Sequence, residues 1–143
     1  MRALFTSRWD ALERPGGDTI HMKSVADYLL SQGVEVFYGE HGLNLGKPPD
    51  IVHHFNLGRP EMGWMAHHKW PQAKVIVNSI YVDFQLTERI GESGWRKALL
   101  GFLGFHRMEW LKEIGRAVKG QRPSPSLAYL MKGHSQMIRD LLK

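Results

Sequence analysis

The stretch Arg14–Met22, RPGGDTIHM, lies between a short apolar run, Ala3–Phe5, and the pattern of an amphipathic helix. Because glycine has no side chain, the pair Gly16 and Gly17 lets backbone N–H groups come close to a ligand. The start of the following helix carries partial positive charge and free N–H donors, which suit a phosphate group or a sugar hydroxyl. The stretch therefore predicts a strand-to-helix turn that binds a ligand.

Short apolar runs with turn residues between them predict the strands of a parallel sheet. The predicted strands are Ala3–Thr6, Val34–Tyr38, Ile51–Phe55 and Lys74–Asn78. A first helix with a buried stripe follows the glycine pair, capped by Asp18 or Thr19 and closed by Gly33. A second helix is predicted over Glu61–Lys69 after Pro60. This order predicts an α/β fold: a Rossmann-like three-layer domain with a parallel sheet of at least four strands.

The second half of the chain predicts helices and no convincing strand after Phe84. Helices are expected over Trp95–Leu103 and Phe105–Val118. The segment from Gln121 to Ser126, which contains two prolines, interrupts the helical pattern. The stripe of a last helix is formed by Leu127, Leu130, Met131, His134, Ile138 and Leu141. That pattern runs to the final residue without a stop signal, which we interpret as a chain that ends inside a longer protein.

Length and composition restrict the classes of protein that fit. The 143 residues correspond to one domain, with 43% hydrophobic residues and no cysteine. The lack of cysteine excludes a disulfide framework and a thiolate metal site, and it suits a reducing compartment. Neither a signal peptide nor a membrane-spanning run is present in the pattern, so the cytoplasm is the expected location.

The charge of the chain is uneven along its length. The net charge is +5, and the part from Leu86 onward carries 11 Lys/Arg against five Asp/Glu. A basic second half indicates an anionic neighbour such as phospholipid, although a solvated helix face explains it equally well. The apolar run from Trp95 to Phe105, with basic residues beside it, is compatible with contact at the inner face of a membrane. Burial against the sheet or another domain is the favoured interpretation of that run.

Four segments together resemble the opening of glycosyltransferases with the GT-B architecture, in the retaining, family 4-like group. They are Gly16–Thr19 with its helix, Gly33–Val36, Pro49–Asn56 and Lys74–Tyr81. The order and spacing of the four pieces carry the resemblance, which covers residues 1–85 approximately. A glycine pair after a strand is by itself common in α/β proteins.

The resemblance implies a two-domain enzyme in which a sugar moves from a nucleotide sugar to an acceptor in the cleft between domains. Residues 1–143 then form the N-terminal, acceptor-side domain, and a C-terminal domain holds the donor. The implied partners are a nucleotide sugar, a sugar or lipid-linked acceptor and the missing C-terminal domain. The chain alone is expected to be inactive, with no further cofactor.

Candidate substrate-binding residues follow three of the predicted strands. After the first come Gly16, Gly17, Asp18 and Thr19, after the third come Asn56 and Arg59, and after the fourth come Ser79, Tyr81 and Asp83. The carboxyl ends of parallel strands are where open α/β sheets bind ligands. Structural alternatives are a turn with positive φ for the glycines, helix capping for Asp18 and Thr19, an ion pair for Arg59 and core packing for Tyr81. Many relatives carry a histidine near the fourth exit, which this chain lacks, so no catalytic residue is assigned.

Other functions remain as alternatives. A metal site is not expected, because His53 and His54 point to opposite faces of a strand and His67 and His68 are neighbours on a helix. The second candidate function is a stand-alone flavodoxin-like module that binds a phosphorylated ligand or a protein partner. Nucleic acid is not an expected partner, since the basic second half lacks the strand motifs of common RNA-binding modules.

Overall fold

The computed structural model describes residues 1–39, 43–79, 115 and 132–143. Within these ranges the chain forms four strands and three helices. In chain order they are β1 (Arg2–Thr6), α1 (Gly17–Ser31), β2 (Glu35–Tyr38), β3 (Ile51–Phe55), α2 (Glu61–Lys69), β4 (Lys74–Asn78) and α3 (His134–Leu141). The four predicted strands and the helix over Glu61–Lys69 are confirmed.

The four strands form one parallel sheet in the order β2-β1-β3-β4. Leu4 on β1 is paired with Phe37 on one side and Val52 on the other, and His54 on β3 is paired with Val77. The chain moves outward from β1 to β2 and then crosses to the other side of β1 to form β3. The point between β1 and β3 is therefore the topological switch point of the sheet, where folds of this kind leave a crevice.

Helices cover both faces of the sheet, which confirms a Rossmann-like α/β fold with three layers. On one face, Met22 and Ala26 of α1 pack on Phe5 and Phe55. On the other face, Met62 and Ala66 of α2 pack on Leu4 and Val52. Successive strand residues point to opposite faces, so the continuous apolar runs of β1 and β3 supply both cores at once.

The ends of α1 show how its sequence sets its length. Gly33 has φ +76, a left-handed conformation that glycine adopts without steric cost. Its N–H donates to the carbonyl of Leu30, and the N–H of Val34 donates to that of Leu29, both at 3.0 Å. This pattern is a Schellman motif, and it confirms the predicted role of Gly33 in ending the helix.

After residue 79 the structure describes residue 115 and residues 132–143. There α3 begins after Gly133, whose φ is +73, so the expectation of one helix continuing through His134 from Leu127 is wrong at this point. Met137, which the predicted stripe omits, is fully buried with Leu141 against Trp64 of α2. The predicted helices Trp95–Leu103 and Phe105–Val118 and the residues Leu127–Met131 lie outside the described residues.

Within the described part of the chain, no helix has both the length and the apolar character needed to cross a membrane. The apolar run from Trp95 to Phe105, on which the expected membrane contact depends, lies outside that part.

Candidate functional site

The candidate site lies at the switch point, where β1 and β3 end next to each other and α1 begins. The chain leaves β1 at Thr6, forms the loop of residues 7–16 and enters α1 at Gly17. It leaves β3 at Phe55 and turns at residues 56–59 before α2. Because β1 and β3 are adjacent and parallel, both exits open at the same edge of the sheet.

The carboxylate of Asp18 joins these exits through a set of side chains that we name the Asp18 cluster: Ser7, Arg8, Asp18 and Asn56. Oδ2 of Asp18 accepts hydrogen bonds from Oγ of Ser7 at 3.0 Å, Nε of Arg8 at 3.1 Å and Nδ2 of Asn56 at 3.1 Å. Ser7, Asp18 and Asn56 are buried. The predicted pair Asp18 and Asn56 is thus brought together, with Ser7 and Arg8 added.

Arg8 holds the loop of residues 7–16 in place. Besides Asp18, its guanidinium contacts Oδ1 of Asp10 at 3.3 Å and donates a short hydrogen bond to the carbonyl of Arg14. Guanidinium groups present several donors in a fixed plane, so one arginine can fasten both halves of a loop. The positive charge of Arg8 is therefore committed to groups of this chain rather than left for a ligand.

The pKa of Asp18 reflects this environment. Desolvation on burial raises the pKa, but hydrogen bonds from Asn56, Arg8 and Ser7, together with the charge of Arg8, outweigh it and leave the pKa below its ordinary value of 3.8. Asp18 is consequently ionised at neutral pH, and a permanent negative charge lies at the start of α1, where the helix dipole stabilises it.

The structure tests one of the two interpretations of the glycine pair, the one that requires a positive φ. Neither Gly16 nor Gly17 has a positive φ, so the alternative that the turn needs a left-handed glycine is wrong. A Cβ on Gly16 would lie 3.0 Å from Oδ1 of Asp18 and 3.1 Å from Nη2 of Arg8, whereas a Cβ on Gly17 would meet nothing within 4 Å. Gly16 therefore makes room for the Asp18 cluster itself, and the space over Gly17 is open.

Asp18 and Thr19 lie within the first turn of α1 rather than at its N-cap, which is Gly16, so the predicted cap position is wrong. Thr19 still performs part of the capping, because its Oγ1 accepts the N–H of Gly16 at 3.3 Å and donates to the carbonyl of Ala11 at 3.0 Å. Oδ1 of Asp18 accepts the N–H of Thr19 at 2.9 Å. The buried side chains of Asp18 and Thr19 thus accept hydrogen bonds from backbone N–H groups at the start of α1.

Asn56 has an unusual backbone. Its φ is +80, which makes it the one residue other than glycine with positive φ in the described part of the chain. Asparagine tolerates this region better than most residues, and such positions are common at functional sites. Its N–H donates to the carbonyl of Asn78 at 3.3 Å, and its own carbonyl accepts the N–H of Arg59 at 2.9 Å.

His54 is fully buried beneath Asn56. Its Nε2 lies 3.2 Å from the carbonyl of Asn56 and its Nδ1 lies 3.0 Å from Oγ1 of Thr6. A carbonyl only accepts, so Nε2 carries the proton and Nδ1 accepts from the threonine hydroxyl. Burial lowers the pKa of His54 to about 4, against weaker opposing hydrogen bonds from Asn56 and others. The ring is therefore neutral at pH 7 with both nitrogens satisfied.

His53, as predicted, points to the opposite face of β3. Its ring stacks on Phe55 at a centroid distance of 4.1 Å and meets Phe5 edge-on at 5.1 Å. Burial, followed by the charge of nearby His21, lowers the pKa of His53. His53 and His54 thus pack on opposite faces of the sheet. The described residues contain no group of three His, Asp or Glu side chains able to hold a metal ion.

The remaining predicted residues are more dispersed. Arg59 is half-buried in the turn after β3, and Ser79 is exposed just after β4. Tyr81 and Asp83 lie outside the described residues. Ser7, Arg8 and His54 were missed as site residues. The signal for Ser7 and Arg8 was present in the sequence, because they are the first polar residues after a buried parallel strand.

Comparison with family models, curated proteins and solved structures gives no significant match for this chain. The fold and the Asp18 cluster are therefore the observations on which a functional proposal depends.

Proposed function

We propose that this chain is the N-terminal, acceptor-side domain of a GT-B glycosyltransferase that transfers a sugar from a nucleotide sugar to an acceptor. The observation that carries the proposal is the Asp18 cluster, which joins the loop after β1 to the exit of β3 at the switch point. Asp18 and Asn56 also lie in two of the four segments on which the resemblance to that family depends, Gly16–Thr19 and Pro49–Asn56.

The proposed contribution of this domain is to hold the acceptor in position. A rigid polar wall orients a bound hydroxyl and removes the entropic cost of aligning it during the reaction. The Asp18 cluster suits this role because its side chains are fixed by one another before a ligand arrives. We assign no catalytic residue to this domain. Stabilisation of the charge that develops on the leaving diphosphate is assigned to the second domain.

A cytoplasmic location, with contact at the inner membrane face when the acceptor is lipid-linked, is part of the proposal. It is supported by the excess of Lys/Arg after Leu86 and by the lack of cysteine.

The proposal is tested with the protein encoded by the complete reading frame that contains these residues. We expect release of a nucleoside diphosphate from one of a panel of nucleotide sugars, accelerated by a sugar or lipid-linked acceptor. The 143-residue chain alone should release none and should bind nucleotide sugars weakly in calorimetry.

A matched pair of variants links that activity to the site. Asp18→Asn removes the charge that anchors the cluster and should lower the rate, whereas Asp27→Asn, on an exposed position of the same helix, should not. A reading frame that stops at Lys143, together with tight binding of a phosphorylated ligand by this chain, would favour the flavodoxin-like module instead.

A further inference from the structure

The acceptor oxygens of the Asp18 cluster differ in how many hydrogen bonds they receive from the described part of the chain. Oδ2 of Asp18 has three donors, and Oδ1 accepts the N–H of Thr19. Oδ1 of Asn56 is buried and has no donor among the described residues. The whole residue Asn56 is only 9% exposed. Buried polar atoms are usually paired, so an unpaired one within a polar cluster indicates a missing partner.

The orientation of this amide is fixed by its neighbours. The atom of Asn56 that faces Oδ2 of Asp18 must be the NH₂ group, because a carboxylate oxygen repels a carbonyl oxygen and accepts only from donors. The backbone is held on both sides: the N–H bonds to Asn78, and the carbonyl receives hydrogen bonds from Arg59 and His54. These contacts hold the backbone of Asn56 at φ +80 and keep its amide beside Asp18, at the edge of the sheet where β1 and β3 end.

We propose that Oδ1 of Asn56 accepts a hydrogen bond from a hydroxyl group of a neutral sugar, and that this site discriminates against phosphate. The inference rests on the proposed function and names the chemical group that its acceptor side recognises. It makes Asn56 a specificity-determining residue, with Asp18 holding its amide from one side and His54 holding its carbonyl from the other.

Charge and size both favour a hydroxyl over a phosphate at this position. The ionised carboxylate of Asp18 is bonded to the same amide, and the guanidinium of Arg8 is already paired with Asp18 and Asp10. An entering phosphate would meet a like charge without a free cation from the cluster to balance it. Because Oδ1 is buried, an incoming donor has little room beside it, and a single hydroxyl group needs less space than a tetrahedral anion.

The test is an NMR titration of the ¹⁵N-labelled 143-residue chain with methyl α-glucoside, methyl α-mannoside and methyl α-galactoside. Inorganic pyrophosphate serves as the anionic probe. We expect at least one glycoside to shift the side-chain NH₂ signals of Asn56 and the backbone signals of Asp18 and Thr19. Pyrophosphate should leave these signals in place. Asn56→Gly, which accepts positive φ without strain, should weaken glycoside binding by about tenfold.

Asn44→Gly is the matched control, because Asn44 is an exposed turn residue that is not a member of the cluster, and its binding should equal that of the parent chain. If Asn56→Gly does not fold, the NH₂ signals of Asn56 in the parent chain decide the question. Shifts at these signals with pyrophosphate instead of a glycoside overturn the inference, as does the lack of any glycoside shift. Diphosphate release by the complete protein is measured separately, so failure here is distinguishable from failure of the proposed function.

Discussion

The backbone of Gly63 lies directly against the ring of His54. A Cβ placed on Gly63 would be 2.6 Å from Cγ and 2.7 Å from Nδ1 of His54, closer than real Cβ contacts allow. Gly63 occupies the third position of α2, so the helix approaches β3 at the point where β3 carries its buried histidine. The distance between these two residues sets how tightly α2 packs on the sheet beneath the candidate site.

Gly63→Ala should therefore destabilise the fold. The added methyl group must displace either α2 or a ring that is held at both nitrogens, and overpacking of this kind costs about 1–3 kcal/mol. The gain in helix propensity from alanine recovers about 1 kcal/mol at most. Urea unfolding measures the difference, with Gly46→Ala as the control because a Cβ there meets nothing within 4 Å. Equal free energies of unfolding for the two variants would show that the backbone of α2 is not in close contact with the ring of His54.

Stability should fall as the pH is lowered from 6.5 to 4, because of His54. Its pKa is about 4 in the folded chain and 6.5 ordinarily, so the unfolded chain binds more protons in this window. The stabilising effect of the neutral ring is complete above pH 6.5 and is lost as the pH falls towards 4. The difference of pKa corresponds to about 3 kcal/mol.

The measurement is urea unfolding across this pH range. His54→Gln should flatten the dependence, leaving the smaller part that comes from the lowered pKa of His53. A profile equally steep in the parent chain and the His54→Gln variant would contradict the assignment of a neutral buried ring.

Two amide substitutions at His54 should separate its two hydrogen bonds. The amide nitrogen of Gln occupies the place of Nε2 and can still donate to the carbonyl of Asn56, whereas that of Asn occupies the place of Nδ1 and reaches only Thr6. We expect His54→Gln to keep the pKa of Asp18 low, and His54→Asn to raise it towards 3.8 as the Asn56 amide loses its position. Carboxyl ¹³C NMR titration reads this pKa directly, and an identical pKa in both variants would show that His54 does not position Asn56.

The sheet was predictable from the sequence because each strand is a short, largely apolar run that is bounded by turn residues. Ile51–Phe55 and Lys74–Asn78 show this directly, since the predicted and observed bounds coincide. Gly33 was predictable for the same local reason, namely that a glycine after a complete helical stripe supplies the left-handed residue of a Schellman motif.

The candidate site was predictable only in part, because it depends on contacts between distant residues. Asp18 and Asn56 could be placed at one edge of the sheet because each follows the carboxyl end of a predicted parallel strand. The participation of Arg8 depends on how an irregular loop folds back, and the role of His54 depends on a glycine of α2 that lies nine positions away. The start of α3 was missed because Gly133 interrupts a stripe whose periodicity continues on both sides of it.

The two glycines of the first turn should respond in opposite directions to alanine. Gly16→Ala places a methyl group 3.0 Å from Asp18 and 3.1 Å from Arg8, and both side chains are held by further contacts. We expect a loss of about 1 kcal/mol and a higher pKa of Asp18. Gly17→Ala places its methyl group in open space at the first position of α1, where alanine should stabilise the helix by about 0.5–1 kcal/mol.

Thermal and urea unfolding of both variants, with carboxyl titration of Asp18, test this difference. The complete protein then separates stability from function. If a ligand approaches the backbone at Gly17, as the proposed function requires, Gly17→Ala should fold more stably than the parent and yet transfer sugar more slowly, since the methyl group takes up the open space that the ligand needs. Full transfer activity in that variant would show that the ligand does not approach the backbone at Gly17. Asn56 would then remain as the proposed ligand contact at this edge of the sheet.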